Sequence, residues 1–323
     1  MSLYISTAPH VRSQQNTRSL MLDVIIALMP ATIAGIYYFG VNAALLVVIS
    51  TFSAVLFEYL WQKLTHKTIR VGDLSAAVTG LLVGLNLPPT APWWLPVIGS
   101  GLAIILVKQL FGGIGDNFVN PALAARGIML ASWPVRMTTF IPSGWNGSVF
   151  LFKSLPFWEQ AAADGVTSAT VLSGSYNATY LDMFLGNIPG CIGEVSKAAI
   201  LIGLIYMLMR RVITWRIPVT FLAVVFVFSA ILGNDPVQAI LAGGVMLGAV
   251  FMATDYTTSP MSSKGQFIYA AGCGIIVVVI RNFCNYPEGV TYGILIMNIV
   301  TPLLDKYVKP RLYGRMKEEK ANG

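Results

Sequence analysis

Charge is scarce in this chain. Of its 323 residues 11% are charged and 55% are hydrophobic, where a soluble domain carries about a quarter charged residues. A soluble fold of this length must cover more polar surface than such a composition supplies, whereas a chain whose outer face meets lipid has no such need. Cysteine and histidine are few as well. Cys191, Cys273 and Cys284 share no ligand spacing, and an odd number does not build a disulfide framework. His10 and His66 lie far apart, so no metal centre of His and Cys is expected. Neither an iron–sulfur ligand run nor a glycine-rich dinucleotide fingerprint is present. The stretch from Met1 to Arg18 is polar, and no small-residue cleavage site follows the first apolar run, so no cleavable signal peptide is expected. The net charge of +7 does not mark a nucleic-acid binder, because the basic residues sit in short connections and the C-terminal tail rather than along a stripe.

What the sequence has is apolar length. Ten segments stand between charged or Pro/Gly-rich breaks: Leu22–Phe39, Ala43–Trp61, Leu74–Leu87, Trp94–Phe111, Pro121–Trp133, Cys191–Met209, Ile217–Leu232, Pro236–Ala253, Phe267–Ile280 and Gly289–Leu304. The expected fold is therefore an all-α polytopic membrane protein with about ten transmembrane helices. Several segments fall short of a full span. Leu74–Leu87 and Pro121–Trp133 are the shortest, and short or broken helices mark a cavity in the bundle, because irregular backbone needs protein or water to satisfy it. With the N-terminus inside, only Arg136, Lys153, Lys197 and Arg281 of the 21 Lys and Arg residues fall outside, and Arg126 lies within the fifth segment. That asymmetry places both termini in the cytoplasm, in a bacterial inner membrane, and leaves Pro134 to Gly190 as the one long outer loop.

Gly80-Leu-Leu-Val-Gly84-Leu-Asn-Leu-Pro-Pro-Thr90 can be laid over Gly244-Val-Met-Leu-Gly248-Ala-Val-Phe-Met-Ala-Thr254, about half the chain later. Five segments in each half make the second half enter the membrane upside down. This is a pair of inverted five-helix repeats, with function expected near their interface. Recurrent Gly-xxx-Gly also serves plain helix packing. The expected organisation is residues 1–133 as the first repeat, 134–190 as the outer loop, and 191–323 as the second repeat with a basic tail.

Asp164-Gly165-Val166-Thr167-Ser168-Ala169-Thr170 lies on that loop. An acid followed by small and hydroxyl residues can simply cap a helix or make a turn. The run also resembles the Asp-x-x-Ser/Thr-small-Ala-Thr signature at which a flavin transferase esterifies the last threonine with FMN phosphate, with Ser168 where glycine is also common. Three further stretches carry the resemblance. They are Phe111-Gly112-Gly113-Ile114-Gly115-Asp116-Asn117-Phe118-Val119-Asn120-Pro121-Ala122, Phe251-Met252-Ala253-Thr254-Asp255 with Thr257-Thr258-Ser259-Pro260, and Asn285-Tyr286-Pro287-Glu288-Gly289 with Met297-Asn298. In this order they resemble the family of the Rnf complex D subunit and the B subunit of the sodium-pumping NADH:quinone reductase. The short stretch before the first span is closer to the Rnf member.

The resemblance implies a subunit that conducts electrons in an ion-translocating ferredoxin:NAD oxidoreductase and is not catalytic alone. It implies covalent FMN on Thr170, read by the transferase through Asp164, Thr167 and Ser168, and a second flavin within the bundle, riboflavin in the quinone-reductase relative. Other Rnf subunits, the flavin transferase and sodium or protons are the implied partners; nucleic acid is not. An isoalloxazine ring is flat and largely apolar, so it suits a cavity between helices edged by amides and hydroxyls. Gly112 and Gly113 would let backbone approach such a ring, and Asn117 and Asn120 would bond its polar edge; Asn120-Pro121 is equally a helix-starting turn. Arg126 would either neutralise a flavin phosphate or ring edge or pair with an acid such as Asp116. Asp255, with hydroxyls at 257–259, has the oxygen chemistry of a cation site and also the look of a cap. Architecture without the flavin motif fits a ten-helix inverted-repeat secondary transporter with no redox cofactor equally well.

Overall fold

The computed structural model describes residues 16–140, 179–284 and 289–308. Among them are thirteen α-helices and no strand. The first two are α1 (Thr17–Phe39) and α2 (Val41–Leu64). A capping box starts α1: Asn16 Oδ1 accepts from the Ser19 N–H at 2.9 Å, and Ser19 Oγ accepts from the Asn16 N–H at 3.1 Å. Gly40, at φ +74°, turns the chain directly into α2. Both helices put bulky apolar side chains outward (Ile33, Val48, Phe52) and small or polar ones inward (Ala31, Ser50, Ser53, Ala54), the inverse of a soluble helix. Together with α12 (Ser263–Phe283), they are long and apolar enough to cross a membrane, by length and composition.

The third helix, α3 (Ser75–Leu85), has only 11 residues, about 16 Å and half a bilayer core. Gly80 seats it on α2: a Cβ there would lie 2.7 Å from Ala54 Cβ and 2.8 Å from the Ser50 carbonyl. Ser50 Oγ in turn donates to the Gly80 carbonyl at 2.7 Å. After α3 the backbone leaves the helix but is not orphaned, because the carbonyls of Leu85 and Leu87 accept from the N–H groups of Gly193 (2.8 Å) and Ile192 (3.0 Å). Gly193 is the residue that allows this approach, since a Cβ would stand 2.6 Å from Leu85 Cβ. Helix α4 (Trp94–Gly101) then runs into a π-helical stretch, Leu102–Gln109, and α5 (Pro121–Ser132) and α6 (Pro134–Thr138) complete the first part.

After α7 (Tyr180–Leu185) come α8 (Lys197–Met209) and α9 (Arg216–Ile231). The sixth apolar segment is expected as a helix from Cys191, but α8 starts at Lys197, because residues 192–194 make a turn whose N–H groups at 192 and 193 bond the end of α3. The eighth segment is not one helix either. It divides into α10 (Pro236–Leu241) and α11 (Val245–Leu247), the latter continuing as a π-helical stretch Gly248–Met252. The break between them is held by charge: Arg281 donates to the Ala239 (2.7 Å) and Ala242 (3.0 Å) carbonyls, and Lys197 Nζ to the Gly243 carbonyl at 3.1 Å. Lys197, counted on the outer side of the membrane, is thus fully buried at the start of α8. The chain closes with α12 and α13 (Val290–Tyr307).

Candidate functional site

Helix α5 begins deep in the bundle. Asn120 is its N-cap, accepting from the N–H groups of Ala122 (3.0 Å) and Leu123 (3.3 Å), and Pro121 follows at the first helical position. The Asn120 side-chain nitrogen donates to the carbonyl of Met252, the last residue of the second π-helical stretch, at 3.2 Å. With its amide turned to satisfy every neighbour, Asn298 accepts from the Asn120 N–H (3.1 Å) and donates to the Tyr269 hydroxyl (2.6 Å) and the Ile294 carbonyl (3.3 Å). The turn reading of Asn120-Pro121 holds, and Asn120 ties the start of α5 to the second π-helical stretch through its side chain and to α13 through its backbone N–H.

Beside this junction opens a cavity of about 410 Å³, within the range of small-molecule and cofactor sites. The start of α1 (Leu20, Met21, Val24), α3 (Val78, Thr79, Leu82), the end of α8 (Met207) and Phe251 give it mostly apolar walls. Gly115, Asn117 and Asn120 line one side and Thr254 to Thr257 another. Asn117 is 8% exposed, and its side-chain oxygen has no hydrogen-bond partner among the described residues. An amide carbonyl removed from water without a donor is costly, so a ligand N–H or O–H entering the cavity fits it.

The other sequence-predicted residues are spread around this cavity rather than gathered in it. Gly112 and Gly113 do not line it; at φ +126° and +108° they make the tight turn after the π-helical stretch and border a separate depression with Asp116. Arg126 is not paired with Asp116, which is exposed. Its guanidinium donates to Asn86 Oδ1 and, at 3.4 Å, to Cys191 Sγ, so it locks the end of α3 to the turn before α8. Asp255 borders the cavity and accepts from the Thr257 N–H (3.5 Å), Thr257 Oγ1 (3.2 Å) and Thr258 Oγ1 (3.4 Å), closing a local turn. Among the described residues no group of three His, Cys, Asp or Glu side chains is placed to hold a metal. Asp164, Thr167, Ser168 and Thr170 lie outside the described residues.

Several polar residues of the interior escaped sequence reading. Asn86 donates to the Leu82 carbonyl (2.7 Å) and faces Met252 Sδ at 3.9 Å. Glu194 Oε1 accepts from the Cys191 N–H at 2.9 Å. Asn86 had one signal, its place in the Gly80–Thr90 half of the repeat; Glu194 and Tyr269 had none in local sequence.

The sequence model of the NQR2, RnfD, RnfE family matches residues 4–314. A relative in Acetobacterium woodii, the D subunit of its Na(+)-translocating ferredoxin:NAD(+) oxidoreductase complex, is 46% identical over 99% of this chain and 98% of its own. The D subunit of the proton-translocating ferredoxin:NAD(+) oxidoreductase complex of Clostridium ljungdahlii is 38% identical over 96% of each chain. The D subunit of the ion-translocating oxidoreductase complex of Stutzerimonas stutzeri is 40% identical over 92% of each.

Proposed function

The chain belongs to the NQR2, RnfD, RnfE family, and on that premise we propose that it is the D subunit of an Rnf-type ion-translocating ferredoxin:NAD oxidoreductase, a multi-pass flavoprotein that conducts electrons through the membrane part of the complex. In this reading Thr170 carries FMN as a phosphoester, attached by a flavin transferase. A second, non-covalent flavin, riboflavin by the family resemblance, sits in the 410 Å³ cavity. The relatives' names specify sodium in one case and protons in another, so the coupling ion is left open between them.

The observation that carries the cavity assignment is the buried Asn117 oxygen, without a hydrogen-bond partner among the described residues, in a mostly apolar wall. Asn117 offers an acceptor to a ring N–H, while Thr79, Val78 and Leu82 supply the flat apolar contact that a ring needs. A flavin, when bound, supplies one- and two-electron transfer. Asn120 is committed to its cap and to Met252, and so keeps the second half of the wall in register. The π-helical stretches support the reading too, since such bulges are frequent at functional sites. The ten apolar segments, each containing a helix, and the two broken helices α3 and α10–α11 support ten spans in two inverted repeats with cytoplasmic termini.

The test is riboflavin retention. Protein purified with Thr170→Val, which should hold no covalent flavin, is denatured and its released flavin measured by chromatography. About one riboflavin per chain is expected, falling at least tenfold with Asn117→Leu at unchanged thermal stability. No released flavin from the Thr170→Val protein would remove the second cofactor from the account.

A further inference from the structure

A buried ion pair stands in the wall of the cavity, apart from the groups that would bind the flavin. Lys108 Nζ, on the first π-helical stretch, lies 2.8 Å from Glu58 Oε1 of α2, and both side chains are 2% exposed. Each partner is fixed further. Gln109 Nε2 donates to the same glutamate oxygen at 2.7 Å. The ammonium donates to Ser75 Oγ at 2.6 Å, and that hydroxyl donates to Asp73 Oδ1, also at 2.6 Å. Lys108 and Ser75 line the apolar 410 Å³ cavity, whereas Glu58, Gln109 and Asp73 line a separate polar depression of about 280 Å³. The pair is therefore a dipole set across a wall, its positive end toward the apolar cavity and its negative end toward the polar one.

Stability gives no reason for such a pair. Desolvating two charges costs several kcal/mol per ion, and replacing a buried pair by apolar side chains of similar size is often neutral or stabilising. Its orientation is what remains to explain. We infer that Lys108, held by Glu58, Ser75 and Asp73, is the electrostatic element that sets the reduction potential of the cavity's ligand, a flat heteroaromatic that is neutral on entry and gains negative charge on reduction. This rests on the reading that a flavin occupies the cavity. The electron comes from the neighbouring redox carrier of the complex, and no bond forms or breaks on the protein. Lys108 lines the cavity and its counter-charge Glu58 lies behind it, so the ligand meets the near, positive end of a dipole in a low-dielectric surround, which favours the reduced ligand by about tenfold.

The experiment uses the Thr170→Val protein, so that only non-covalent flavin is read, refilled with riboflavin and titrated potentiometrically through the flavin absorbance. The double variant Glu58→Gln/Lys108→Met removes both charges at similar volume. It should bind oxidised riboflavin within about threefold of the parent and lose about tenfold in preference for the reduced form, a fall of about 59 mV for a one-electron step. Lys108→Arg should stay close to the parent. Should the double variant fail to fold, Asp73→Asn decides the matter: loss of that negative charge behind the ammonium should raise the potential. An unchanged potential in the double variant, or in Asp73→Asn, overturns the inference and leaves the pair structural. Loss of all riboflavin binding in a well-folded double variant overturns it too, making the pair a binding determinant. If the parent itself takes up no riboflavin, the flavin reading fails, and that outcome is distinct from a bound flavin whose potential ignores the pair.

Discussion

Asn120 satisfies two N–H groups at the start of α5 with its oxygen and the last carbonyl of the second π-helical stretch with its nitrogen. Asn120→Ala leaves all three buried, and loss of the cap together with an unsatisfied carbonyl costs about 2–4 kcal/mol. The expected result is a clear drop in thermal midpoint in detergent and loss of cavity flavin together. Asn298→Ala, one bond further out, should lower the midpoint less. Among the described residues Asp255 is the one carboxylate lining the cavity, and we propose that it lies on the access path of the coupling cation. Asp255→Asn keeps the turn to Thr257 and Thr258, so the complex should assemble and hold flavin while ion-coupled activity falls. Full pumping by that variant at wild-type expression would reduce Asp255 to a turn residue. The helix-starting role of Asn120 and the turn role of Asp255 were legible because such chemistry is written in local sequence. Lys197 was counted among the outer-side cations by its place in the sequence alone; in the fold it is buried, with the Glu194 and Gly243 carbonyls as acceptors.

At the scale of elements, the chain is organised by helices that stop halfway. The end of α3 finds its hydrogen bonds on residues 191–193, and the break before α11 finds its own on Lys197 and Arg281. Both solutions keep irregular backbone inside protein, as a hydrocarbon surround demands. Gly193→Val would push a side chain into Leu85 and open this junction. We expect it to cost several kcal/mol by overpacking, seen as poor detergent-solubilised yield and early heat aggregation, with Gly72→Ala, in open space, as the unaffected control. Each of the ten apolar segments that hydropathy marks contains a helix, and three described helices are long and apolar enough to cross a membrane. Hydropathy did not locate the break at 242–244 or the late start of α8. Ala242-Gly243-Gly244 carries no charge that hydropathy would register; the chain turns there at Gly243, φ +63°, and Lys197 of α8 and Arg281 of α12 take up the freed carbonyls.

For the whole molecule, composition already excluded a soluble fold, and the chain's family membership carries the redox assignment beyond what architecture alone would support. The proposed orientation has its own check: cysteines placed at Ser148 or Asn177 should react with an impermeant thiol reagent added to intact cells, and one at Thr214 should not. Reaction at Thr214 would invert the molecule and put the proposed FMN on the cytoplasmic face. The covalent flavin itself is read most directly by in-gel fluorescence of the denatured chain, expressed with a competent flavin transferase. The wild-type band should fluoresce under ultraviolet light. Thr170→Val, which removes only a hydroxyl, should be dark, and Thr167→Val and Ser168→Ala should keep at least part of the signal. Fluorescence that survives Thr170→Val, or a dark wild-type band, would contradict the account.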